Sequence, residues 1–106
     1  MSSIYLCGPI TGLDPEECQR RFAEWEWKMV RLGYRTVNPV ELDRDLENRL
    51  GRVPTREEYL RNDLYLMLTC DKILMLPGWS NSKGAVLERK VAMECGIPVS
   101  YWEELV

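Results

Sequence analysis

Leu74-Met75-Leu76-Pro77-Gly78-Trp79-Ser80-Asn81-Ser82-Lys83-Gly84-Ala85-Val86-Leu87-Glu88 joins three local signals in fifteen residues. The apolar run at its start reads as a buried strand. The Pro, Gly, Ser and Asn cluster reads as a turn. From Lys83 onward the pattern is that of a helix, closed by Gly96. A strand that hands over to a helix through a glycine-containing turn is the repeating unit of α/β folds. The residues on either side extend that unit.

Lys72–Leu76 is nearly continuous in apolar residues, as a central strand is. Ile97–Tyr101 supplies the strand after the helix. Upstream, Thr55 and Glu58 have capping-box spacing. Tyr59, Leu60, Leu64, Met67 and Leu68 then mark a helix that runs to Cys70. Near the N-terminus, Ile4–Cys7 is a short strand entering the Gly8-Pro9 turn. Glu16–Leu32 is a helix with Phe22, Trp25, Met29 and Leu32 on one face, stopped by Gly33. Tyr34–Val37 is a strand ended by Asn38-Pro39. The segment 41–52 is charged, with Leu42, Leu46 and Leu50 at fours, and fits a mobile loop or a short surface helix. Alternating strands and helices predict one domain over residues 1–106, a three-layer α/β fold with a mainly parallel sheet of four strands, or five if one lies in the middle region. In such sheets ligands gather beyond the carboxyl ends of the strands. Those ends are Gly8-Pro9, Asn38-Pro39 and Pro77-Gly78-Trp79.

The 106 residues suffice for one modest core, and 45% hydrophobic content argues against disorder. A net charge of -3 makes long nucleic acid a poor partner. No apolar run has membrane-spanning length and the first residues lack signal-peptide order, so the expected location is cytoplasmic. Histidine is absent, which removes Ser-His and Cys-His catalytic pairs. Cys7, Cys18, Cys70 and Cys95 lack zinc-site spacing. Cys7, Cys70 and Cys95 lie in apolar contexts and read as buried thiols. Neither a metal nor an organic cofactor is expected.

The candidate chemistry centres on the turn and Glu88. Ser82, with Asn81 as rival, caps the helix. Either choice presents the backbone N–H groups of Lys83, Gly84 and Ala85 to an anion. Ser80 belongs to the same turn. Gly84 lets a phosphate or sugar approach, and Lys83 adds charge or points to solvent. Glu88 lies one turn beyond Gly84 on the same face. It is either a solvated helix glutamate or a carboxylate placed to attack an anomeric carbon. Asp63, at the edge of an apolar stripe, needs a partner: Arg61, Arg56 or a sugar hydroxyl. Asp71 reads as a turn or network residue supporting nearby loops. Gly8 and Pro9 form either a ligand-approach loop or a plain turn. Tyr5 and Trp79 are candidate walls for stacking a base, with the core as the other reading of Tyr5. Trp25 reads as core and Trp27 as a subunit-contact residue. Arg20, Arg52 and Arg56 read as solvated, or as phosphate contacts.

Taken together, Tyr5-Leu6-Cys7-Gly8-Pro9, Asp63 ahead of Cys70-Asp71, and Ser82 to Glu88 resemble the nucleoside 2-deoxyribosyltransferase-like superfamily, in its small bacterial and phage branch. That resemblance implies a flavodoxin-like or Rossmann-like sheet and a homodimer or higher homo-oligomer, with active sites near a subunit interface. It implies Glu88 as the nucleophile on C1' and Asp63 as the acid that contacts deoxyribose or supports catalysis. The Ser82-x-Gly84 spacing to Glu88 is similar to that of the 2'-deoxynucleoside 5'-monophosphate N-glycosidases, whose serine helps hold the 5'-phosphate. Typical transferases often carry an acid in this loop, where this chain has Asn81, Ser82 and Lys83. The expectation is therefore cleavage of the N-glycosidic bond of a nucleoside 5'-monophosphate. Deoxyribosyl transfer and noncatalytic nucleotide binding are the alternatives.

Overall fold

The computed structural model describes residues 2–106. Its elements are β1 (Ser3–Cys7), α1 (Pro15–Arg31), β2 (Arg35–Val37), α2 (Pro39–Leu50), α3 (Arg56–Met67), β3 (Lys72–Met75), α4 (Lys83–Glu94) and β4 (Val99–Tyr101). Short 3-10 turns occupy Trp79–Asn81 and Trp102–Leu105. The four strands form one sheet in the order β2-β1-β3-β4, and every neighbouring pair is parallel. This is the α/β architecture that the alternating pattern predicts, with four strands among the described residues.

Strand alternation divides the core into two layers. Ile4, Leu6, Leu74 and Leu76 point to one face, where Cys18, Phe22 and Met29 of α1 cover them. Tyr5, Cys7, Ile73 and Met75 point to the other, against Met67 of α3 and Ala85 and Ala92 of α4. The α4 contacts are small residues, which let that helix lie close to the sheet. From β1 the chain moves outward to β2, then crosses back to β3. The sheet therefore has a topological switch point between β1 and β3, where doubly wound folds open a crevice. The loops after these two strands touch: a Cβ on Gly78, whose φ is 83°, would lie 3.3 Å from Pro9 Cγ.

Of the two readings of the segment 41–52 the helix holds, and two other expectations change. The segment 41–52 lies largely within a twelve-residue helix, α2, with Leu46 buried. Asn38 caps it by accepting from Val40 N, Pro39 occupies the first turn, and Gly51 ends it in the left-handed region. Asn38-Pro39 thus both ends a strand and starts a helix. Cys95 is exposed, whereas Cys18 joins Cys7 and Cys70 among the buried thiols. Leu32 caps α1 and is exposed, so the packed stripe of that helix is Cys18, Phe22 and Met29. No helix among the described residues is long and apolar enough to cross a membrane.

Candidate functional site

Glu88 sits in the second turn of α4 and is only 8% exposed. Ser82 sets its position by capping the helix: the Ser82 Oγ accepts from Ala85 N at 3.2 Å. The face carrying Ala85, Glu88 and Ala92 turns toward the sheet, and β1 supplies donors to the carboxylate. Tyr5 Oη donates to Glu88 Oε2 at 2.6 Å. The Cys7 thiol donates to Oε1 at 3.3 Å. Each oxygen therefore has one donor and a fixed direction. Burial raises the Glu88 proton affinity, the Tyr5 and Cys7 hydrogen bonds oppose that rise, and the charge of Asp43 adds to it. Burial and the neighbouring Glu88 in turn hold Tyr5 and Cys7 well above their ordinary values, so both remain donors at neutral pH.

Asp63, on α3, is 7% exposed and has no arginine partner. The salt bridges among the described residues are Arg21–Glu17 and Arg52–Glu58. Its neighbour is instead Asp43 of α2. Both acids are raised, each by burial first. For Asp63 the hydrogen bond and charge of Asp43, and then the charge of Glu88, push further upward. The structure thus gathers Tyr5, Cys7, Asp43, Asp63 and Glu88 from β1, α2, α3 and α4. Sequence reasoning missed two members: it read Cys7 only as a buried thiol, and it did not single out Asp43. Its only sequence signal was indirect: Asn38-Pro39 as a cap and Gly51 as a stop would have marked the helix that carries it.

The remaining candidates divide. Ser80, Asn81 and Lys83 are exposed on the loop before α4. The capping bond consumes the Ala85 N–H, leaving those of Lys83 and Gly84 without an intrahelical acceptor. A Cβ on Gly84 would meet nothing nearer than Ser82 Oγ at 4.0 Å, so packing does not explain this glycine. Gly8 is different: a Cβ there would lie 3.1 Å from Leu76 Cβ and 3.5 Å from Phe22, so core packing accounts for it. Pro9 is half-buried against Gly78. Of the two readings of Tyr5, the core is where it lies; it is fully buried and offers no stacking face. Trp79 is half-buried, tilted on Tyr101 at 5.8 Å, with the Arg89 guanidinium 5.2 Å from its ring and bonded to Tyr101 Oη at 2.8 Å. Asp71 stands at the opposite, amino-terminal end of the sheet. There it accepts from Ser3 N at 2.9 Å and Ser3 Oγ at 3.2 Å, and these bonds lower its pKa. It clips β1 to the start of β3 and does not support the Glu88 cluster. A groove of about 250 Å³ lined by Trp25, Trp27, Lys28 and Leu105 runs along α1, on the other side of the sheet from Glu88, with Trp27 61% exposed.

Comparison with known proteins gives one result. A family model described as a domain of unknown function, DUF4406, matches residues 2–101. No curated protein and no solved structure gives a match.

Proposed function

The chain belongs to the DUF4406 family, and from the geometry of its own site we propose that it cleaves the N-glycosidic bond of a nucleoside 5'-monophosphate, with Glu88 as nucleophile. The observation that carries this reading is the setting of Glu88. It is a buried carboxylate with a donor on each oxygen, at the β1/β3 switch point, one turn beyond a helix start with free N–H groups. The resemblance to nucleoside 2-deoxyribosyltransferase-like proteins points the same way and makes 2-deoxyribose the expected sugar.

In this reading the 5'-phosphate rests on the Lys83 and Gly84 N–H groups, close to the Ser82 hydroxyl, with Lys83 supplying charge. Glu88 forms a bond to C1' as the C1'–N bond breaks. The electron pair leaves with the base, which takes a proton from Asp63. Water then attacks C1', the Glu88–C1' bond breaks, and the proton released by water restores the acid. Tyr5 and Cys7 orient the nucleophile and favour its ionised form. No step calls for a metal or an organic cofactor.

The experiment is a chromatographic screen of the protein with each nucleoside and 5'-monophosphate, with and without a second free base, beside Glu88→Ala. Free base without an acceptor, lost in the variant, supports hydrolysis. A new nucleoside that appears only with an acceptor replaces hydrolysis by transfer. Saturable binding with unchanged ligand removes the catalytic reading.

A further inference from the structure

We propose that Asp43 and Asp63 act as one acid, a carboxyl pair sharing a single proton across the α2–α3 contact, and that Asp43 is the positioning residue that keeps this proton on Asp63 beside Glu88. The chemical use of the pair rests on the glycosidase reading; its geometry does not.

Side-chain hydrogen bonds join α2 to α3. Tyr59 Oη donates to Glu47 Oε2 at 2.7 Å, and Arg49 reaches Asn62 Oδ1 at 3.3 Å. One turn back along α2 from Glu47 is Asp43; one turn forward along α3 from Tyr59 is Asp63. The Glu47–Tyr59 bond thus holds together the two helices whose adjoining turns carry these acids, and the two carboxyl groups interact directly. The Oδ1 atom of each is buried and accepts no hydrogen bond from any donor among the described residues. Two ionised carboxylates here would leave both oxygens unsatisfied and place like charges in contact. One shared proton removes both costs.

The surroundings keep the proton in place. Glu47 and Tyr59 flank the pair, Cys18 of α1 lies near Asp43, and Tyr5 of β1 and Glu88 of α4 face Asp63. No salt bridge among the described residues brings a lysine or arginine to either acid. A negative charge on Glu88 discourages ionisation of Asp63, and the glycosidase reading requires these opposite protonation states of nucleophile and acid. As the glycosidic bond breaks, the Asp63 proton passes to the departing base and the pair is left doubly ionised. The water that attacks C1' supplies the proton that refills it.

The test combines carboxyl-carbon NMR titration of the ligand-free protein with the pH profile of base release, for the wild type, Asp43→Asn and Asp43→Ser. Two replacements guard against one folding poorly. Removal of the Asp43 charge is expected to move the Asp63 titration down by about one to two pH units. The alkaline limit of kcat moves down with it, while KM is unchanged, and Asp43→Glu restores both. A purely structural Asp43 would alter melting without moving either limb. An Asp63 titration that stays in place in both charge-removing variants overturns the shared proton, whatever the activity. A titration that moves as expected in a protein that releases no base from any nucleotide overturns the glycosidase reading, and proton delivery with it.

Discussion

At the scale of single residues, burial and hydrogen bonding set opposite demands on Glu88. Burial favours its protonated form, while Tyr5 and Cys7 favour the ionised form that attack requires. Replacing Glu88 with Gln keeps shape and one acceptor oxygen, puts an NH2 donor in place of the other, and removes the nucleophile. Base release should fall by about a thousandfold or more with an unchanged circular dichroism spectrum; turnover near the wild-type rate would remove Glu88 from the mechanism. Tyr5→Phe deletes one donor to a buried carboxylate. Chemical denaturation should show a loss of about 1–3 kcal/mol. Without that donor the Glu88 pKa rises, so the acidic limb of kcat should move to higher pH. A limb that stays in place would mean that Tyr5 does not tune Glu88. The sequence already singled out Glu88, from its spacing to the Ser82 turn. The partners Tyr5 and Cys7 are 83 and 81 residues away in the chain, and no local pattern links residues so far apart.

At the scale of elements, two glycines offer a contrast. Gly8→Ala would force a Cβ to 3.1 Å from Leu76 Cβ, between tightly packed layers. It should cost about 1–3 kcal/mol of overpacking, read as a lower denaturation midpoint. Gly84→Ala meets open space in a helical turn and should hold or raise stability by up to about 1 kcal/mol. If the helix start receives phosphate, the same change should raise KM for a 5'-monophosphate while sparing the free nucleoside. Equal effects on both substrates would place the phosphate elsewhere. The helix-start reading of Ser82 was accessible from sequence because capping is local. The α2 helix was legible only as one of two readings, because its charged residues suit solvent in isolation and Leu46 is buried only in the folded chain.

At the scale of the whole molecule, the pH dependence of folding carries two opposing signs. Asp71 is depressed in the folded state, so its contribution is present above the unfolded carboxylate pKa of about 4 and is lost as pH falls through its folded value. Asp43, Asp63 and Glu88 are raised, so their contribution is full below about 4 and declines as pH rises through their folded values. Thermal melts should therefore decline from mildly acidic pH through neutrality and beyond. Asp63→Asn, which mimics the protonated acid, should flatten the alkaline part of that decline. An unaltered slope would show that Asp63 is not raised in the folded protein.

The order of the four strands and of α1, α3 and α4, the parallel sheet, the capped turn before α4 and the position of Glu88 were determined by the sequence itself. Each depends on periodicity, glycine and proline placement, or capping within a few neighbouring residues. Only the tertiary structure decided that Tyr5 faces Glu88 rather than a stacked base, that Gly8 serves packing, that Asp71 lies at the far end of the sheet, and that Asp63 meets Asp43 rather than an arginine. Those outcomes depend on strand order and on the contact between α2 and α3. Both are set by burial shared among distant segments, which no single stretch of the chain encodes.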